Sequence, residues 1–336
     1  MIARTRRPEL PLRLLVALAV MLLAFALLPL VAQWFGSPYF IRLGTRVMVF
    51  AIAAVSLDLI LGYGGMVSFG HATYVGVAAY VVAILAYHGA NEPLLLLGMS
   101  VPGTANAWIA WPAAILAASL IALVVGAISL RTTGIYFIMI TLAFTQMVYF
   151  LFLSLQQYGA DEGLRLANRS ELLGLDLGNR VVMYYVTLVA LVLVLFGGWK
   201  LVHSRFGMVL RGCQQNARRM EAIGFRSYRY KLAAFVIAGA TAGLAGVLQV
   251  NNEAFVSTAD LHWLRSADLL IMVILGGVGT LFGPVVGAVA WVLLELWLEG
   301  LTVHWHVILG PVLIFIVLFA KNGLWGLLLG RGDDRG

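Results

Sequence analysis

The chain has 336 residues, of which 62% are hydrophobic and 11% charged, against about 25% charged in an ordinary soluble domain. A soluble fold of this length cannot hide that much apolar side chain, so a soluble enzyme and a disordered chain are both excluded. The net charge of +7 is read as membrane sidedness rather than nucleic-acid binding, and the single cysteine, Cys213, excludes an intrachain disulfide or a multi-cysteine metal site.

Apolar runs of the roughly 20 residues that a bilayer requires recur in chain order at 12–32, 43–62, 66–87, 109–130, 134–155, 181–202 and 231–250. The next run, 267–300, is too long for one span. It is broken by Gly276, Gly277, Gly279, Gly283 and Pro284, so it reads as two short segments, and a last span covers 304–320. The runs are continuous rather than alternating, which argues against a β-barrel. The expected fold is all-α: a polytopic membrane helix bundle of about 8–10 transmembrane helices, some of them glycine-broken. Eight spans result if 62–66 or 276–284 is re-entrant. The whole of 1–336 reads as a single transmembrane domain. The first span is read as a retained helix, because its apolar run exceeds a usual signal core and no clean small-residue cleavage site follows.

With the amino terminus inside, sixteen Lys and Arg fall in inside segments and six outside. This split places both termini in the cytoplasm. Half of the inside set lies between Lys200 and Lys231. Trp34, Trp108, Trp111, Trp199, Trp263, Trp305 and Trp325 fall at expected span ends, where an interfacial aromatic belt sits.

The longest polar stretch on the inside is 203–230. At helical spacing, Phe206, Leu210, Cys213, Ala217 and Met220 share one stripe, and Arg211, Gln215, Arg218 and Arg219 face the other way. This predicts an amphipathic helix under the membrane, ended by Gly224 as a left-handed cap. Such a helix either rests on anionic lipid or docks a cytoplasmic partner.

Glycines cluster twice, at Gly62-Tyr63-Gly64-Gly65-Met66-Val67-Ser68-Phe69-Gly70-His71 and at Gly276-Gly277-Val278-Gly279-Thr280-Leu281-Phe282-Gly283. Helix breaks at membrane depth are tolerated where they are buried in protein or line a cavity, and their free backbone groups can meet a polar substrate. Tyr63, Gly64, Ser68, Gly70, His71, Gly277 and Gly279 of the breaks, with Thr141 as a polar group inside the fifth span, are therefore the candidate lining of a translocation pathway. The competing reading for each is tight packing or an internal hydrogen bond. Gly279, Gly283 and Gly287, like Gly239 and Gly243, are spaced for close helix approach. Asp58 and Glu295 are the charges set deepest in apolar runs, and Asp58 is expected to lie partly wet near the inner interface. Thr145 and Gln146 add polar groups inside the fifth span.

No Gly-Lys-Ser/Thr occurs among the three lysines, so the chain carries no phosphate-cradling loop and does not itself hydrolyse ATP. No His-Glu-x-x-His occurs either, and no catalytic or metal-binding residue is assigned. Ser68 is not in Gly-x-Ser-x-Gly, which leaves an intramembrane serine hydrolase built on Ser68 and His71 as a weakly supported alternative. A secondary transporter using Asp58 is another.

Six segments together resemble one family. They are Gly-Tyr-Gly-Gly-Met-Val-Ser-Phe-Gly-His-Ala (62–72), Gly-Ile-Tyr-Phe-Ile-Met-Ile-Thr-Leu-Ala-Phe (134–144), Ser-Arg-Phe-Gly-Met-Val-Leu-Arg-Gly (204–212), Glu-Ala-Ile-Gly-Phe (221–225), Tyr-Lys-Leu-Ala-Ala-Phe-Val-Ile-Ala-Gly-Ala (230–240) and Leu-Gly-Gly-Val-Gly-Thr-Leu-Phe-Gly-Pro-Val-Val-Gly-Ala (275–288). In register across 44–325, they resemble the permease subunit of branched-chain amino acid ABC transporters. The resemblance implies a bacterial inner-membrane importer. Two permeases would form its pathway, two cytoplasmic ATP-binding subunits would dock beneath, and a periplasmic binding protein would deliver substrate. ATP would be bound by the partners, so this chain would need no cofactor. Glu221, Ala222 and Gly224 match the loop that meets the ATP-binding subunit. With Arg218 and Arg219 they make 203–230 the implied coupling segment. Relatives of this kind also carry urea or short amides, so either cargo is open. The chain departs from the family pattern at Gly65-Met66 and at Tyr158-Gly159-Ala160-Asp161-Glu162-Gly163 in the outer loop.

Overall fold

The structure is a computed structural model that describes residues 12–34, 36–90, 94–96, 99–101, 103–166, 168–172, 175–300, 304, 307–311 and 323–329. The apolar runs become helices: α1 (Leu12–Trp34), α2 (Pro38–Leu61), α3 (His71–Ala90), α4 (Ala107–Ser129), α5 (Ile135–Ser154) and α6 (Arg180–Val202). They continue with α7 (Arg205–Ala222), α8 (Ser227–Glu253), α9 (Trp263–Gly276) and α10 (Gly283–Glu299), and a short helix covers Gly323–Leu329. Six of them, α2, α3, α4, α5, α6 and α8, are long and apolar enough to cross a membrane. The expected break within 267–300 is present: α9 has 14 residues and α10 has 17, each short of the roughly 20 that span a bilayer alone. Most of the expected span 304–320 lies outside the described residues. The third span begins at His71 rather than at 66, because 62–70 is not helical.

The bundle has an enclosed centre and an apolar rim. α2 is the hub, with 89% of its apolar window buried, against 22% for α5 and 28% for α6. The outer helices present unbroken apolar stripes to their surroundings. Leu116, Leu120 and Val124 of α4 are each more than half exposed, as are Val189, Leu193 and Phe196 of α6. A patch of this extent is incompatible with water and suits lipid. Trp34 and Trp108 are exposed, as a belt requires. Trp325 is instead buried against Phe282, with ring centroids 6.1 Å apart.

Small residues set the closest contacts. Ala114, Ala118 and Ala122 of α4 are fully buried at four-residue spacing. A Cβ at Gly243 of α8 would stand 2.8 Å from the Ala118 Cβ, and one at Gly239 would overlap Ala122. The spacing rule holds here, since lipid gives no hydrophobic drive and packing must supply it. It fails for Gly279, which lies outside the helices with φ +75°. Gly283 and Gly287 of α10 both make close approaches to α9, at the Gly276 backbone and at the Met272 carbonyl.

Among the described residues the sheet content is three short two-stranded ribbons. One of them pairs Leu164–Arg165 with Phe255–Val256 and ties the outer loop to the end of α8. Glu295, read from sequence as a deep charge, is matched by Arg46. The Arg46 Nη2 donates to both Glu295 oxygens, at 3.0 and 3.2 Å, across 249 residues of chain. Removing one partner strands the other. Arg46→Ala is therefore expected to destabilise the bundle by about 1–3 kcal/mol, read as a lower melting temperature in detergent. An unchanged melting temperature would show that the pair contributes nothing.

Candidate functional site

The two glycine breaks, far apart in sequence, meet at one end of the bundle. The Gly62 amide closes α2 by donating to the Asp58 carbonyl at 2.7 Å. The chain then doubles back, with the Met66 amide on the Ile60 carbonyl at 2.9 Å and Gly65 at φ +65°. The second break lies against this turn. Asp58 Oδ1 accepts the Gly279 amide at 2.8 Å, and a Cβ on Gly62 would collide with the Gly279 backbone. Gly277, at φ +118°, and Gly276 are in turn crowded by Gly323. Asp58 is thus not partly wet, as its position near Gly62 suggested, but fully buried, because the second break covers it.

From Met66 the chain runs without regular structure to His71, and hydroxyls from other helices satisfy its backbone. The Phe69 amide donates to Thr141 Oγ1 at 3.3 Å, and the Phe69 carbonyl accepts from Thr145 Oγ1 at 3.0 Å. Thr73 Oγ1 donates to Thr145 Oγ1 at 3.1 Å. The Ala72 amide at the start of α3 donates to Ser266 Oγ of α9 at 2.9 Å. Buried broken backbone demands such partners. Ser68, Gly70, His71, Thr141 and Gly277 are brought into the same buried region as the breaks, and Gly64 packs on the Ile60 carbonyl. Thr145 and Ser266 do more of the fastening than their sequence positions announced. Ser266 was missed, its only signal being a hydroxyl in the first turn of α9.

Ser68 and His71 are not hydrogen-bonded to each other. Ser68 Oγ accepts from the Gly70 amide at 3.1 Å. The His71 ring meets Tyr74 edge to face at 5.5 Å, and the Ser56 backbone faces it without closing a well-formed hydrogen bond. The nucleophile–base contact that a hydrolase needs is absent between these two residues.

Beneath the breaks lies α7. Its inner stripe is as the spacing predicted, with Leu210 and Cys213 buried and Phe206, Ala217 and Met220 half-buried, while Arg218 and Arg219 are exposed. Two features differ. The helix is bent at Asn216, which is extended (φ −157°, ψ 95°) and caps the second segment by accepting the Arg219 amide at 3.0 Å. A single Asn in a periodic run carried that signal. Arg211 does not face outward: its guanidinium lies 5.0 Å over the Tyr63 ring. Gln214 Nε2 donates to the Gly62 carbonyl at 3.1 Å, so α7 grips the first break directly.

The end of α7 is a tight reversal. The Gly224 amide donates to the Glu221 carbonyl and the Phe225 amide to the Met220 carbonyl, both at 3.0 Å, with Gly224 at φ +95°. This is the left-handed glycine cap expected from sequence. Glu221, Ala222 and Gly224 are all exposed. Glu221, Gly224, Phe225, Tyr228 and Arg229 line an open hollow of about 390 Å³. A second cleft, among Phe50, Val75, Gln249, Asp260, Arg265 and Asp268, holds only about 20 Å³, room for about one water molecule. No group of His, Cys, Asp and Glu suited to a metal ion occurs among the described residues.

The high-affinity branched-chain amino acid transport system permease protein LivM of Escherichia coli K12 is 26% identical over 329 residues, covering 89% of this chain and 73% of that protein. LivM of Salmonella typhimurium is 26% identical over 333 residues, with 90% and 74% covered. A probable branched-chain amino acid transport permease protein LivM of Methanocaldococcus jannaschii is 25% identical over 299 residues, with 81% of each chain covered. No solved structure matches. The sequence model of the family described as branched-chain amino acid transport system / permease component matches residues 39–318. A multi-pass helical bundle with two facing glycine breaks, matched to that model over most of its length, belongs to the branched-chain amino acid transport permease family.

Proposed function

We propose that this chain is the membrane-spanning subunit of an ATP-driven importer for branched-chain or related amino acids. Its pathway is shared with a second permease subunit. Two cytoplasmic ATP-binding subunits supply the energy, and a periplasmic binding protein delivers the substrate. The location is the bacterial inner membrane, with both termini in the cytoplasm. The ATP-binding partners hold the nucleotide, and this chain carries no cofactor of its own. Its family membership and the names of its relatives support the cargo class.

The observation that carries the reading is the exposed reversal at the end of α7. Arg218, Arg219, Glu221, Ala222 and Gly224 are presented outward beside an open hollow, while the same helix grips the Gly62 turn through Gln214. A partner seated in the hollow has a mechanical route to the breaks. Tyr63, Gly64, Ser68, Gly70, His71, Thr141, Gly277 and Gly279 then belong to the pathway or its closure. In this reading the tight cleft beside Asp260 and Arg265 and the interlocked breaks mark a closed conformation.

The test is reconstitution. Proteoliposomes holding the permease pair and the ATP-binding subunits should take up labelled leucine only with ATP inside and binding protein outside. Uptake that persists without the ATP-binding subunits would overturn the proposal. Urea or a short amide carried in place of leucine would move the cargo and leave the mechanism.

A further inference from the structure

Two groups beside the first break, a carboxyl on α2 and a guanidinium on α7, keep unfilled hydrogen-bonding capacity. Asp58 is fully buried, and while its Oδ1 accepts the Gly279 amide, its Oδ2 has no partner. The Arg211 guanidinium lies over the Tyr63 ring, and its Nε is likewise buried without a partner. Tyr63 itself is buried and within electrostatic reach of both charges. The two groups ride on different parts of the bundle. Asp58 belongs to α2 and clasps the second break, whereas Arg211 belongs to α7. A guanidinium gains more from a carboxylate than from an aromatic face, and a bare carboxylate oxygen away from water is costly. The present arrangement therefore leaves a better pairing unmade.

We propose that Asp58 is a two-position latch. In this structure it holds the Gly279 amide. When α7 is displaced, Arg211 leaves Tyr63 and pairs with the bare carboxylate oxygen, which loosens Gly279 and frees the second break to rearrange. Gln214, bonded to the Gly62 carbonyl, makes the same displacement pull on the first break. Asp58 and Arg211 are positioning residues in this scheme, and neither needs to touch the cargo. The inference rests on the reading of α7 as the coupling helix.

Asp58→Asn separates the two positions, because the amide oxygen still accepts from Gly279 but offers no charge to Arg211. The complete complex is reconstituted, and uptake and ATP hydrolysis are measured together. Asp58→Asn and Arg211→Gln should both assemble and hydrolyse ATP, yet lower uptake per ATP by about tenfold, within the range that coupling mutations reach. Arg211→Lys should recover most of the loss. The double variant Asp58→Asn/Arg211→Gln should be no worse than either single one, as expected of two residues serving one contact. Normal efficiency in Asp58→Asn, or a double loss equal to the product of the single ones, overturns the latch and leaves the transport reading standing. Wild-type uptake without ATP-binding subunits overturns both. Should Asp58→Asn fail to fold by size exclusion, the Arg211 pair decides: equal losses in Arg211→Lys and Arg211→Gln overturn the proposal.

Discussion

Gly224→Pro is expected to release the ATP-binding subunits from the purified complex while leaving the helical content of the permease unchanged. Gly224 stands at φ +95°, a region closed to proline, whose ring fixes φ near about −65°. Proline also deletes the amide that bonds the Glu221 carbonyl at 3.0 Å. A Cβ at 224 would meet nothing within 4 Å, so the damage is conformational and stays in the reversal. The left-handed penalty and the lost bond together amount to about 2–3 kcal/mol, enough to re-aim Glu221 and Ala222 without melting the bundle. Gly224→Asn, which tolerates the left-handed region, should keep the partner. Co-purification is the measurement, with Glu221→Arg as an independent variant that alters charge and leaves the turn intact. Full retention of the ATP-binding subunits in both Gly224→Pro and Glu221→Arg would refute the docking role.

Gly246→Leu should abolish folded protein altogether. At this position α8 passes so close to α3 that a Cβ would overlap the Val75 carbonyl. The clash is with backbone and involves the first side-chain atom, so no rotamer relieves it. Overpacking with side-chain freedom costs about 1–3 kcal/mol, and separating two central helices exceeds that. The control is Gly197→Leu on α6, an exposed position with nothing within 4 Å. The two variants make the same substitution within an apolar helix, so intrinsic propensity cancels. Size-exclusion profiles in mild detergent should show a monodisperse peak for Gly197→Leu and none for Gly246→Leu. A normal peak for the latter would mean that α3 and α8 do not pack this closely.

The legible and illegible parts of the site divide along one line. The inner stripe of α7, the Gly224 cap and the break after Gly276 depend on spacing and on glycine's conformational freedom, both of which are local. Three features could not be read that way. Arg211 was placed on the outer face by the helical wheel, yet Tyr63, 148 positions earlier, draws it inward. Asp58 was expected to meet water, yet a segment 221 residues away covers it and supplies its hydrogen bond. Gly279 fitted a helical packing pattern but serves in the turn that meets Gly62.

The sequence by itself determined that the chain lives in lipid, where its helices lie, that 203–230 is polar and amphipathic, and to which family its motifs run. The first three follow from composition and periodicity, which are properties of neighbouring residues and of the solvent they meet, and the family follows from the resemblance of its six motifs in register. Only the tertiary structure decided that the two glycine breaks touch, that one buried carboxylate fastens them, and that α7 grips the first of them. Those contacts join residues far apart in the chain. They exist because broken backbone and a buried charge, once shut away from water, must find partners inside the protein, and the folded bundle alone determines which groups come within reach.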